Sequence, residues 1–174
     1  MIKGIALGAA GVVAAGLLVF YAVVSLGFMP ANADGTPPAI EKWVARKALH
    51  ATIAREAPKG ENPVKLDDAN LVAGIKLYAS DCAVCHGAAD GKPSHIASGL
   101  YQRAPQLAKH GVEDDEDGEN YWKIAHGIRM TGMPGFSKSL TDDEIWKIAL
   151  FLKNMDKLPP APKKVWDAVP SAAR

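Results

Sequence analysis

The sequence predicts an all-α protein, with a single N-terminal transmembrane helix in front of a small helical domain. Three observations predict it. From Gly4 to Phe28 no residue is charged. Apolar residues then recur at Leu71, Ile75 and Tyr78, and again at Ile145, Ala149 and Leu152, the spacing that lines one face of a helix. Glycine and proline punctuate the stretches between, and no convincing strand appears among them.

At about 1.5 Å per residue, the 25 uncharged positions from Gly4 to Phe28 make a helix of roughly 37 Å, enough to cross a hydrocarbon core of about 30 Å. Residues 1–30 are therefore read as an anchor. A secretory signal is the rival, because Ala31-Asn32-Ala33 has the form of a cleavage site, but the apolar part of a signal runs only about 7–15 residues. Gly4 and Gly8 form a G-x-x-x-G, which suits either close approach of another membrane helix or the general glycine content of such segments.

Residues 31–63 read as a linker with one helix at about 39–56, stopped by Pro58 and Gly60. Lys42, Arg46 and His50 form a basic stripe along it. The stripe is either a solvated face or a contact for anionic lipid or an acidic partner. Residues 64–159 form the main domain, and residues 160–174 read as a Pro-rich tail. A domain so small has a thin core of its own, so a large apolar cofactor would supply much of its stability. The formal net charge of the 174-residue chain is +1, which gives no electrostatic case for nucleic acid.

Within the domain, Asp67 or Asp68 caps a helix that runs to about Asp81, with Gly74 marking close approach by another element. Residues 87–107 read as loop with short helical turns. The acidic run Glu113–Glu119 is not a calcium loop, because its twelfth position is Ile124 and not Glu; it reads as a solvated loop. A short helix from about Asn120 ends at His126, before Gly127. Thr141 and Glu144 form a capping box at the start of the last helix.

Cys82-Ala83-Val84-Cys85-His86 is the stretch that carries chemistry. It reads C-x-x-C-H, the attachment signature of a c-type haem. Two thiols three positions apart can each add to a vinyl group of one porphyrin, and the next residue offers an imidazole to the iron. The chain has no other cysteine, so one haem c is the maximum. A redox disulfide would want a strand–helix setting, and a zinc site would want a second ligand pair, which the scattered His95, His110 and His126 do not make. For the second axial ligand, Met133 sits between Gly132 and Pro134 in a turn, and Met130 is the runner-up.

The order of these segments resembles the class I cytochrome c family. Gly74-Ile75-Lys76-Leu77-Tyr78, then Cys82 to Gly87, Ala104-Pro105-Gln106-Leu107, Gly132-Met133-Pro134-Gly135-Phe136 and the Trp146-containing last helix carry the likeness. The resemblance implies a class I cytochrome c fold around one covalently bound haem, with Cys82 and Cys85 as thioether anchors. It implies His86 and Met133 as iron ligands and the Pro105 carbonyl as acceptor for the His86 ring. Arg103 and Trp122 would reach the haem propionates or else pack ordinarily.

A closed iron site with no acid–base or nucleophile constellation implies one-electron transfer and no catalysis. The expected setting is a membrane-tethered carrier in a periplasmic respiratory or dehydrogenase chain. The alternatives are a fixed haem subunit of an oxidase, quinol-oxidising complex or dehydrogenase, or a haem enzyme or gas sensor with a labile methionine. The partners are redox proteins or a membrane respiratory complex. Lys42, Arg46 and Lys47 after the anchor would favour that side as cytoplasmic. Haem attachment outside the cytoplasmic membrane argues for the periplasmic side, and this is the expectation. Residues 64–159 hold 11 Lys/Arg and 14 Asp/Glu, an acidic bias with no basic docking face.

Overall fold

A computed structural model describes residues 2–172. The chain divides into two units, Met1–Ala33 and Asp34–Arg174. In the first, helix α1 spans Ile2–Ser25 and buries none of its side chains. It is long and apolar enough to cross a membrane.

The second unit is built from α2 (Ala39–Glu56), α3 (Asp68–Asp81), α4 (Ala83–His86), α5 (His95–Gly99), α6 (Asp117–His126), α7 (Asp142–Lys153), a 3-10 turn (Met155–Lys157) and α8 (Pro160–Asp167). No strand occurs among the described residues, so the fold is all-α as expected. Helix α3 starts where its cap predicts, with the Asp67 side chain accepting from the Asn70 N–H at 2.9 Å. Helix α7 starts with the predicted box: Thr141 Oγ1 accepts from the Glu144 N–H at 3.3 Å, and Glu144 Oε2 accepts from the Thr141 N–H at 2.8 Å.

The core is the crossing of α3 and α7, with Ile75, Tyr78, Ile145, Ile148, Ala149 and Phe151 fully buried. Gly74 permits that crossing. A methyl group there would overlap the Lys147 carbonyl and come within 3.1 Å of Phe151 Cβ. The absence of a side chain lets the two backbones meet.

Three sequence expectations are corrected. The stretch 160–174, expected as a tail outside the domain, begins with helix α8. Pro160 opens it at a position where proline's missing N–H costs nothing, and Trp166 is buried in the core. Its ring meets Tyr78 at 5.5 Å and Phe151 at 5.0 Å. The stretch 31–63 is not simply a linker either. Ile53 of α2 is buried, the Pro58 carbonyl lies against Gly118, and Asn62 donates to the Trp146 carbonyl at 3.0 Å. The acidic run is only partly a solvated loop. Asp117 opens α6, Asp115 pairs with Lys123 at 2.6 Å, and Lys153 donates to the Asp115 carbonyl at 2.7 Å.

Candidate cofactor site

A cavity of about 290 Å³ opens between α3–α4 on one side and α6 with its following loop on the other, with α7 behind. Cys82, Cys85, His86, Arg103, Pro105 and Met133 all line it. Most of the rest of the wall is apolar, from Leu100, Leu107, Ile124, Phe136, Ile148 and Leu152. Six of the seven positions chosen on local spacing or resemblance thus share one volume.

The attachment motif is fixed by its own fold and by its neighbours. The Cys85 and His86 N–H groups donate to the Cys82 carbonyl at 3.0 and 2.9 Å, which closes the one-turn helix α4. Gln106 Nε2 donates to the Cys85 carbonyl at 3.0 Å, and the Leu107 N–H donates to the His86 carbonyl at 3.1 Å. From the core side the Tyr78 hydroxyl donates to the Gly87 carbonyl at 2.9 Å. Burial pushes that phenol far above its ordinary pKa, so it stays a donor. Gly87 turns the chain at φ 78°, and a side chain there would collide with Gln106 Oε1. Tyr78 and Gln106 were visible in the sequence only as an apolar-stripe residue and a neighbour of Pro105; their support of the motif was missed.

His86 Nδ1 lies 2.9 Å from the Pro105 carbonyl. A carbonyl only accepts, so Nδ1 carries the proton and Nε2 keeps its lone pair. Burial lowers the His86 pKa, and the Pro105 bond opposes that in part. The imidazole is therefore held neutral, as a metal ligand must be. The two cysteines are free thiols. Burial, followed by the Asp81 and Cys85 charges, pushes the Cys82 thiol up to about 12. A redox-active C-x-x-C needs the opposite shift, so the disulfide reading loses its chemical support.

Met133 is mounted on the end of α6. The Ile128 N–H donates to the Met133 carbonyl at 3.1 Å, and the Phe136 and Ser137 N–H groups donate back to Ile124 and Ala125 at 3.0 and 3.1 Å. Thr131 Oγ1 accepts from the Met133 N–H at 3.1 Å. Two glycines permit the contact. A methyl on Gly127, at φ 67°, would lie 2.5 Å from the Pro134 carbonyl carbon, and one on Gly135 would lie 2.8 Å from the His126 backbone. Met130, the runner-up, is 91% exposed and does not line the cavity.

Trp122 is not among the residues that line the cavity. It lies beside His126, ring centroids 5.1 Å apart, which fits the ordinary-packing alternative. On α6 the cavity-facing residues are Asn120, Lys123 and Ile124; Asn120 and Ile124 lie about half a turn from Trp122 at 100° per residue. Lys123 is thus a cavity cation that sequence reading passed over. The residues present fit a covalently held haem: two thiols, a neutral imidazole with a free lone pair and a thioether share one apolar cavity, and its cations are Arg103 and Lys123.

Residues 69–152 match the family model described as cytochrome c oxidase, cbb3-type, subunit III. The chain is 27% identical over 148 residues to a thiosulfate dehydrogenase of Stutzerimonas stutzeri (strain A1501), covering 79% of this chain and 48% of that protein. It is also 30% identical over 86 residues to a GTPase Obg of Desulfatibacillum aliphaticivorans, covering 48% of this chain and 25% of that protein. The chain thus spans less than half the length of either relative.

Proposed function

We propose, from the premise that this chain is a c-type cytochrome whose coarse function is haem-based electron transfer, that it is a one-electron carrier tethered to a membrane by α1. In this reading one haem c would be held through Cys82 and Cys85, and His86 and Met133 would bind its iron. Bound there, the group supplies a ferric–ferrous couple. The chain's own residues do the rest. The thiols each add across a vinyl double bond, the proton going to the vinyl carbon, so no oxidant is consumed. The Pro105 carbonyl fixes the tautomer and plane of the His86 ring and makes it a better donor. The end of α6 holds Met133 at the cavity wall, where its thioether would bind the iron. Arg103 would offset propionate charge, whereas Lys123 is already paired with Asp115 at 2.6 Å. The apolar wall keeps water away, and a Met/His pair in such surroundings raises the potential.

The single observation that carries this reading is the convergence of Cys82, Cys85, His86 and Met133 on one apolar cavity. The test is haem retention and spectrum. Cys82→Ser with Cys85→Ser should abolish haem-dependent peroxidase staining on a denaturing gel. Met133→Ala should keep covalent haem but lose the methionine-to-iron charge-transfer band. Covalent haem in the double variant, or an unchanged band in the second, overturns the assignment. Export to the periplasmic side belongs to the same reading, since covalent attachment takes place there.

A second reading, a fixed haem subunit of an oxidase or dehydrogenase complex, draws on the matched model's description as a subunit and on the dehydrogenase relative. Extraction in mild detergent separates the two. A monomer supports the free carrier, and co-purification with large subunits supports the complex.

A further inference from the structure

Helix α2 has an outward face that the second unit does not use. Its inward positions are the buried Ile53 and the half-buried Lys42, Leu49 and Thr52. Opposite them, Ile40, Trp43 and Val44 are 67%, 63% and 51% exposed. The exposed stripe continues through Lys47, Ala51 and Ala54 at intervals of three and four, so it is one continuous face of the helix. Arg46 and His50 flank it, also exposed.

The charge on this helix is one-sided. Its acidic residues are Glu41 and Glu56. Glu41 accepts from the Tyr101 hydroxyl at 2.9 Å and from Gln102 Nε2 at 3.1 Å, while Glu56 pairs with Arg55 at 2.6 Å. Neither lies on the Ile40–Trp43–Val44 stripe, which is left apolar with a basic edge. Such a stripe suits an anionic lipid surface, with its aromatic and aliphatic side chains at the interface and the flanking cations at the headgroups. Chain length also favours this occupant. Residues 26–38 separate α1 from α2, and thirteen residues reach at most about 45 Å. If α1 spans a membrane, α2 is therefore held near that surface at high effective concentration.

We propose that the Ile40, Trp43, Val44 and Lys47 face of α2 docks on an anionic membrane surface. The proposal rests on the tether reading above. Its consequence reaches the site, because Glu41 grips Tyr101 and Gln102, and Gln102 lines the cavity wall. A docked α2 sets which way the cavity mouth faces relative to the bilayer.

The test is hydroxyl-radical footprinting of the full haem-loaded chain, one copy per nanodisc, in phosphatidylglycerol against phosphatidylcholine. Met130, 91% exposed and outside the proposed face, is the internal reference. Trp43 and Ile40 should label several-fold more slowly in phosphatidylglycerol, with the difference shrinking at high salt. Trp43→Ser with Lys47→Glu should restore labelling at Val44; both positions are exposed, so the fold and haem spectrum should be unchanged. A chain that incorporates yet labels equally at Trp43 in both lipids overturns the docking and leaves the tether standing. Protection that needs two copies per disc, or an added membrane protein, also overturns it in favour of that partner. Failure to incorporate at all overturns tether and docking together.

Discussion

At the scale of single residues, the site depends on what its neighbours permit. Gly127 is the sharpest case, since its backbone lies at φ 67° and its open side faces the Met133–Gly135 backbone. Gly127→Ala combines left-handed strain with overlap and should cost about 1–3 kcal/mol, read as a lower denaturation midpoint, and should also weaken the methionine–iron band. Met130→Leu should shift stability by less than about 0.5 kcal/mol and leave the band intact, because Met130 stands clear of the cavity. The sequence made Cys82, Cys85 and His86 legible because their spacing is local and the chemistry demands it. Met133 was legible through its Gly-Met-Pro setting. For Trp122, helical phase was the missing information: Asn120 and Ile124 line the cavity from α6, and Trp122 lies about half a turn from both. Tyr78 and Gln106 act through hydrogen bonds across the fold, and nothing in a linear pattern of apolar residues announces those.

Among the elements, helix starts were readable where a side chain closes them. The Thr141–Glu144 box is a local arrangement and formed as expected. Hydrogen bonds from the Thr141 backbone N–H and then its hydroxyl hold the Glu144 carboxyl below its ordinary pKa. A carboxylate depressed in the folded state adds stability above its unfolded pKa, and that contribution is lost as pH falls through the folded value. Glu144→Gln should therefore lower the denaturation midpoint at pH 7 and flatten its decline below pH 4.5, a comparison made by urea titration at several pH values. Helix α8 was not legible. Pro159, Pro160 and Pro162 read as a chain terminator, whereas two of them sit at the helix start, where proline is tolerated. Its contribution is not small. Trp166→Ala removes a buried indole from the Tyr78–Phe151 cluster and should cost about 3–5 kcal/mol, seen as a large fall in melting temperature of the haem-loaded protein.

For the molecule as a whole, the two walls of the cavity come from different parts of the chain. Helices α3 and α4 carry the thiols and the imidazole, α6 and its loop carry the thioether, and α7 with α8 holds them against one another. The overall class was legible because this arrangement needs only helices with one apolar face each. The attachments of α2 and α8 were not, because each docks through only a few buried side chains, chiefly Ile53 and Trp166. The Trp166 contact also reaches the site. Its ring supports Tyr78, whose hydroxyl holds the turn after His86, so a change that loosened α8 would slacken the wall that carries the two thiols and the imidazole.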